Sequence, residues 1–590
     1  RTSARARPIS ESAIVTKMPV RPDVSTDVRE QEAMRRGAAW GARRLAAAVD
    51  FSDFTYPKLL SARACTTPDK PAVVTPARSL TWQELDEEAA RLSGVLLDLG
   101  VGAGDKVGIL MPNCCEWAAW AHGVAGIGAV VVPVNTRFRV DELAYQLKAS
   151  DTRVLVMQRA IGDIDFLEMI RGLVPEIAVA APKGLGSATL PALRHVICLD
   201  ATSDDPAGLL AEAQVRLLGA SGGREAVHRA RQAVRPQDPV IIQYTSGTTA
   251  FPKGAMLSHC GTARNAFHVN ERLHVQEDDR IFVPGPFFHV AGTTLGILLG
   301  LLSGATIYTL PRFEPAAVLD AIEREQITVY NGVDSLFITL YKHPSFRASA
   351  LATIRKGWIA SSPEIVRMVH EEMGLRGITN VYGISEASPN VTLCDLDDPI
   401  ELRAQTCGYP HPDCELKIVD PATGATLPAG EAGEICFRGY SLMLGYYNNP
   451  AETAKAIDSD GWLHTGDRGL VRQTGELEYF GRIKDMLRVG GENLAPAEVE
   501  EVLSQHPKVR QSAVVGIPDD RLVEVPAAVI ELKPGESCTS EEIVAYCKAR
   551  LAGFKVPRAV AFVDALPMTG SGKIQKFRLR QDVFNVGGGR

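Results

Sequence analysis

From about Asp53 onward the chain alternates short apolar runs with longer segments of helical period, and this alternation limits the folds open to it. "PAVVTP", "KVGILMP" and "AVVVPVN" read as strands with no polar face, whereas "TWQELDEEAARLSGVLLDLG" reads as a helix capped by Thr81 and stopped by Gly100. Strands apolar on both faces must be covered on both, so the pattern predicts parallel strands flanked by helices. "PVIIQYTS", "RIFVPGPFFHVAG", "ITVYNGV" and "ITNVYGISE" each run from an apolar strand into a polar or glycine-containing turn. Such turns are where α/β enzymes collect their chemistry.

The segment 201–235, rich in Ala, Ser and Gly, reads as a surface excursion of helix and loop. After Pro410 the composition favours short antiparallel strands, as in "CELKIVD" and "GEICFRG". Beyond "YFGRIKDMLRVGGENLAP" comes a compact pattern of helix "PAEVEEVLSQH", strands "RQSAVVGIP" and "PAAVIELK", and helix "SEEIVAYCKARL", with a boundary near Gly481 to Asp485. At 590 residues the chain exceeds what one core supports. The expected division is a poorly ordered extension over 1–50, a large domain over 51–482 and a small domain over 483–590.

Composition narrows the class. Hydrophobic residues at 45% and charged residues at 23% are those of a soluble globular protein. A net charge of −7 gives no basic field for a phosphate backbone, so nucleic acid is not an expected partner. The eleven cysteines include no CxxC pair and read as buried thiols in a reducing compartment. The longest apolar runs, Val124 to Val134 and Thr294 to Leu302, are too short to span a bilayer, so no transmembrane segment is expected. The first fifty residues lack a signal-peptide core, and Asp23, Asp27, Glu30 and Glu32 are unlike an acid-poor transit peptide, giving a cytoplasmic expectation.

The densest chemistry lies in "YTSGTTAFPKGAMLSH", Tyr244 to His259. Four hydroxyl side chains, Thr245, Ser246, Thr248 and Thr249, surround Gly247, and Lys253 follows a proline. Backbone N–H groups and hydroxyl donors in such a turn can wrap anionic oxygens, with a triphosphate or pyrophosphate as the natural guest. The spacing is not GxxxxGK[ST], which disfavours a kinase-type P-loop. Standing alone, the stretch could equally be a polar turn after a strand.

It is followed in order by "PFFHVAG" (286–292), "VYGISEASP" (381–389), "GWLHTGD" (461–467), "YFGRIKDMLRVGGENLAPAEVE" (479–500) and "SGKIQKFRLR" (571–580). Together these resemble the signatures of the adenylate-forming superfamily of acyl-CoA synthetases, luciferases and peptide-synthetase adenylation domains. The resemblance runs from about Asp53 to Arg580 and is closest to medium-chain and related acyl-CoA synthetases, particularly through "RGYSLMLGYYNNPAET" and "SGKIQKFRLR". It implies a large multi-layered N-terminal α/β domain, with β-sheets flanked by helices, and a smaller mobile α+β C-terminal domain. The implied reaction joins a carboxylic acid to ATP as acyl-AMP with loss of pyrophosphate, after which the thiol of CoA displaces AMP.

The resemblance also implies roles. Thr245, Ser246, Gly247, Thr248, Thr249 and Lys253 would hold the departing phosphates. Ala250 stands where the family usually has glycine, a change the intact neighbouring signature tolerates. Tyr382 and Gly383 would meet adenine, Ser385, in place of the commoner threonine, the α-phosphate, and Glu386 with Thr245 a Mg²⁺ ion. Asp467 would accept the ribose hydroxyls beside Arg482. Lys573 would bridge the substrate carboxylate and the α-phosphate, Lys484 would be the hinge of the small domain, and Gly490 and Gly491 would let pantetheine pass. Phe288 and His289 would lie at the acyl pocket, although His289 reads also as a buried structural histidine.

Trp358, in "IRKGWIASSP", stands where the family usually places small residues between acyl pocket and adenine. Facing the pocket it would exclude a long alkyl chain; facing the core it would be structural. The expectation is an acid that is fatty or cyclic, short to medium in length. ATP, Mg²⁺ and CoA are the expected small-molecule partners, and a homodimer is compatible with the sequence. An acyl-AMP ligase loading a carrier-protein thiol is the nearest alternative. A luciferase-like oxygenase and a catalytically silent nucleotide-binding protein are remote ones.

Overall fold

A computed structural model describes residues 49–179, 184–221, 223–245, 252–489, 492–519, 522–551, 553–568 and 574–584. The expected extension over 1–50 therefore lies almost wholly outside the described residues, as do Ser246 to Phe251, Gly490, Gly491 and Lys573.

The central sheet has eight strands. Pro239–Thr245, Val130–Pro133, Lys106–Leu110, Thr152–Met157, His195–Cys198 and Leu209–Ala211 run side by side in parallel. Alternate residues divide between its two faces. Val107, Ile109, Val154 and Val156 belong to one core with the helices Trp82–Asp98 and Cys115–Ala125, while Leu110, Leu155 and Met157 pack with Leu143 and Leu147 from Val140–Ala149 and with Phe166 and Ile170 from Phe166–Leu173. The helix Cys115–Ala125 is buried on nearly every side, since the same core also takes Val73, Ile281 and Ile307 from a second sheet. The Trp82–Asp98 helix starts with a reciprocal capping box between Thr81 and Glu84, and beyond it Gly100 takes φ +73°.

Two readings of the sequence need correction. The central sheet is not wholly parallel: Lys253–Ser258 pairs antiparallel with Pro239–Thr245, and Gly445–Tyr446 pairs antiparallel with Lys253–Ser258. The connection between Thr245 and Lys253 is too short for a crossover, which leaves a hairpin as the available geometry. Nor is 201–235 a mere surface excursion. Leu209–Ala211 extends the sheet, the helix Glu212–Ser221 packs on Trp82–Asp98, and Leu209, Leu210, Val215 and Val227 are buried. Arg231 in the following helix lies 2.8 Å from Asp86.

A third sheet carries Gly357–Ala360 and Ile378–Gly383 in parallel; Asn390–Leu393 pairs antiparallel with Ile378–Gly383, and Tyr409–Pro410 antiparallel with Asn390–Leu393. After it, as the sequence predicts, comes a four-stranded antiparallel sheet in the order Cys414–Val419, Gly433–Gly439, Leu463–Val471, Leu477–Arg482. The C-terminal part has its own core, built on the paired strands Val509–Asp519 and Val523–Leu532 and the helices Pro496–Ser504 and Ser540–Lys548. Among the described residues no helix is long and apolar enough to cross a membrane, and the cysteines are free thiols.

Candidate active site

Asp467 and Arg482 stand directly opposite each other where Leu463–Val471 and Leu477–Arg482 pair. Arg482 Nε lies 2.8 Å from Asp467 Oδ1, and the Tyr382 hydroxyl donates to Asp467 Oδ2 at 2.6 Å. The Asp467 amide donates to Thr465 Oγ1 at 3.1 Å, and Arg482 Nη1 donates to the Thr465 carbonyl at 3.2 Å. Asp467 is buried whereas Arg482 is partly exposed, so the carboxylate sits at the floor of the cluster with its cation toward solvent. Burial first, then the Asp467 charge, raises the Tyr382 phenol well above its ordinary range and keeps it a donor. For Arg482 burial opposes the charge, but Asp467 and the neighbouring tyrosines outweigh it and the guanidinium titrates higher than usual. The Tyr382 ring stacks on Tyr479 with centroids 5.3 Å apart.

Gly383 ends the strand that delivers Tyr382. A Cβ there would sit 2.4 Å from the Pro389 carbonyl oxygen, which instead accepts the Ile384 N–H at 2.8 Å, so glycine permits the sharp return. Ser385 and Glu386 follow in the turn Ser385–Ala387. Glu386 Oε1 accepts the Tyr446 hydroxyl at 2.9 Å, and the Glu386 carbonyl accepts the Met443 N–H at 2.8 Å. Lys253 Nζ lies 5.1 Å from the Tyr446 ring centroid and 2.5 Å from Glu452 Oε2. Hydrogen bonds from Lys253 and Lys455 hold the Glu452 carboxyl down to about 2. One tyrosine at the edge of the central sheet thus joins the lysine of the hydroxyl loop to Glu386. Arg482 also acts electrostatically on Tyr446 and is itself raised by Glu386, which makes the two clusters one site.

On the other side of the strand Pro239–Thr245, Gln243 Nε2 donates to the Phe288 carbonyl at 3.2 Å. Asn113 grips the same turn: its Nδ2 donates to the Gly285 carbonyl at 2.8 Å and its Oδ1 accepts the Phe287 N–H at 2.7 Å. Phe288 is buried, and His289 is half-buried, accepting the Ala291 N–H on Nδ1 at 3.2 Å at the head of Val290–Gly292. Trp358, 4% exposed, belongs to the core that contains Phe287, Val290 and Leu295, whereas its neighbour Ile359 packs with Tyr330 and Phe337. The two side chains therefore leave opposite faces of the strand, the indole into the larger core.

Thr245 ends its strand, with its hydroxyl 3.5 Å from the Lys253 carbonyl, and Lys484 lies in the turn Ile483–Asp485. The positions read from the sequence as Ser246, Gly247, Thr248, Thr249, Gly490, Gly491 and Lys573 are outside the described residues. Sequence reasoning missed Gln243, Tyr446, Glu452, Thr465 and Tyr479. Tyr446 and Glu452 lie in "RGYSLMLGYYNNPAET", but Glu452 meets Lys253 across 199 positions, a contact that local pattern cannot reveal.

Two family descriptions match the chain: "AMP-binding enzyme" over residues 60–447 and "AMP-binding enzyme C-terminal domain" over 498–573. YngI of Bacillus subtilis (strain 168) is 39% identical over 540 residues, covering 90% of this chain and 98% of that protein. The mitochondrial medium-chain acyl-CoA ligase ACSF2 of Bos taurus is 36% identical over 545 residues, covering 91% and 88%. Among solved structures, the anthranilate CoA ligase AuaEII in complex with anthranoyl-AMP superposes with a TM-score of 0.77 at 28% identity, covering 90% of this chain and 98% of that one. The fold and site define an adenylate-forming enzyme. The chain belongs to the AMP-binding enzyme family and is an acid:CoA ligase, which activates a carboxylic acid with ATP as acyl-AMP and transfers the acyl group to CoA.

Proposed function

We propose that the acid is an apolar one, a short-to-medium chain or a ring, and that Trp358 sets the limit. The observation that carries this reading is the burial of the indole in the core that also takes Phe287 and Val290, the residues on either side of Phe288 and His289. A flat apolar wall there suits a ring or a short chain and takes the volume a long alkyl tail requires. A medium-chain ligase at 36% identity and a fold neighbour holding an aromatic acyl-AMP support the same range.

The roles follow from charge and reach. Asp467 takes the ribose hydroxyls, exchanging the Tyr382 O–H for them, with Arg482 beside it as counter-charge. Tyr382 offers its ring and Gly383 its backbone to adenine. Thr245, Ser246, Gly247, Thr248, Thr249 and Lys253 hold the departing pyrophosphate, with Lys253 released from Glu452 as the more highly charged phosphates arrive. Ser385 donates to the α-phosphate. Glu386 and Thr245 offer a carboxylate and a hydroxyl, hard oxygen donors that fit Mg²⁺, which when bound neutralises phosphate charge. Lys573 aligns the carboxylate with the α-phosphate. His289 lies at the acyl entrance with Phe288, and the small domain turns about Lys484 so that Gly490 and Gly491 line the path of pantetheine.

The test is pyrophosphate release across a panel of straight-chain, branched and cyclic acids, followed by thioester formation with free CoA. Highest kcat/KM for a short-to-medium or cyclic acid supports the reading. A preference for a sixteen-carbon acid, or transfer only to a carrier-protein thiol, contradicts it.

A further inference from the structure

A second group of ligating side chains lies on one face of the four-stranded antiparallel sheet, apart from the site described above. Cys436 and His464 are direct partners on the adjacent strands Gly433–Gly439 and Leu463–Val471, so their side chains leave the same face. Glu434, two residues before Cys436 on the same strand, shares that face. His464 Nδ1 lies 2.9 Å from Glu434 Oε2 and 3.5 Å from Cys436 Sγ, and its Nε2 lies 3.5 Å from Asp458 Oδ2. One ligand atom from each of Glu434, Cys436 and His464 falls within 4.8 Å of the other two.

An ion pair between Glu434 and His464 explains the shortest contact, and Asp458 Oδ1 accepts the Asp460 and Trp462 N–H groups at 2.9 Å within its own turn, but neither accounts for the buried thiol beside the imidazole. A tetrahedral cation explains all four. Bonds of roughly 2.0 Å to nitrogen or oxygen and roughly 2.3 Å to sulfur place N and S ligands about 3.5 Å apart. The Nδ1 to Sγ separation already has that value, and the Nδ1 to Oε2 separation needs to open by only a few tenths of an ångström. A histidine that binds metal through one nitrogen commonly donates from the other to a carboxylate, the position Asp458 holds.

Charge agrees with this. Lys417, the direct partner of Cys436 on Cys414–Val419, faces the cluster and rests its ammonium 4.5 Å from the Trp462 ring centroid. Glu434, Asp458 and a Cys436 thiolate contribute three negative charges, and Lys417 with a divalent cation balances them. The sulfur lies at the buried floor while His464 and Asp458 are about one third exposed, which leaves an approach from solvent.

The cluster is wired to the nucleotide site. Glu434 Oε1 accepts the Gly466 N–H at 3.0 Å, and the Thr465 hydroxyl donates to the Ile435 carbonyl at 2.7 Å, immediately before Asp467. We propose that Glu434, Cys436 and His464 bind a thiophilic divalent cation of the zinc type, with Asp458 orienting the imidazole, and that occupancy weakens ATP binding through Thr465–Asp467.

The experiment uses the full chain after removal of adventitious metal. Cadmium is titrated into wild type and Cys436→Ser, reading the thiolate-to-cadmium charge-transfer band, with the remaining cysteines common to both proteins. In parallel, the apparent KM for ATP is measured with and without stoichiometric zinc under excess Mg²⁺. The expected results are one equivalent fewer in Cys436→Ser and a zinc-dependent rise of about fivefold or more in KM for wild type only. Should the serine variant fold poorly, X-ray absorption at the zinc edge of wild type gives the same information, with one sulfur among nitrogen and oxygen neighbours expected. Equal cadmium stoichiometry in a folded variant, or a zinc edge without sulfur, overturns the site. Zinc inhibition that persists in the variant, or bound zinc with an unchanged KM, overturns the coupling to ATP.

Discussion

Replacing Trp358 by alanine removes a side chain that is 4% exposed and whose Nε1 has no hydrogen-bond partner, so the change deletes packing and leaves no polar group newly orphaned. The backbone bond from Trp358 N to Asn331 Oδ1 at 3.2 Å survives. A buried tryptophan cut to alanine costs about 3–5 kcal/mol of stability. The same vacancy becomes room for substrate. Each methylene that enters it gains about 0.8 kcal/mol, or about fourfold in kcat/KM, and two give about fifteenfold. The assay is pyrophosphate release over a ladder of straight-chain acids, scored as kcat/KM against chain length. The expected outcome is an optimum displaced toward longer acids, a smaller displacement in Trp358→Phe, and an apparent affinity for ATP changed by less than about twofold. A folded Trp358→Ala protein with the wild-type acid profile would refute the blocking role and leave the indole as core packing alone.

Lys573→Ala should abolish acyl-AMP formation while CoA transfer from supplied acyl-AMP persists; equal loss of both half-reactions in a folded protein counts against a lysine acting only in adenylation. Lys484→Pro should do the reverse, because fixing φ within Ile483–Asp485 obstructs rotation, and normal overall turnover would remove the hinge role. Glu501, on Pro496–Ser504, is pushed up to about 8 by burial and by Glu364 on Pro363–Glu371. A raised carboxyl pKa means that this contact takes up a proton, so it is fully present at low pH and is lost as pH rises toward and through about 8. Proteolysis of the linker near Ile483–Asp485 should therefore be faster at about pH 9 than at about pH 6 in wild type, with the difference reduced in Glu501→Gln; an unchanged pH response in that variant contradicts the linkage.

What was legible in the sequence was local. Thr81 and Glu84 announce a helix start because both partners of the capping box are three residues apart, and the apolar runs around Val107, Val131 and Val154 announce strands because neither face is polar. "CELKIVD" and "GEICFRG" were legible as antiparallel strands from the change of composition after Pro410, where polar residues mix with apolar ones along each short run. The direction of Lys253–Ser258 and the role of Leu209–Ala211 were not, since each depends on which strand a short segment finds as its neighbour. At the candidate site the motifs pointed to Tyr382, Asp467 and Arg482, and the fold brings these three into contact. They did not point to Tyr446, which joins Lys253 to Glu386 only after Gly445–Tyr446 has paired with the hairpin. The Glu434, Cys436 and His464 cluster was hidden likewise, because it forms only once the strand of Glu434 and Cys436 has paired with that of His464.

The central claim is a two-step reaction through an acyl adenylate, and product analysis tests it most directly. Purified protein, ATP and the best acid of the panel should yield AMP and pyrophosphate in equal amounts, with acyl-AMP detectable before CoA is added and acyl-CoA after it. Formation of ADP and orthophosphate in place of AMP and pyrophosphate, or nucleotide turnover that ignores the acid, would contradict the account.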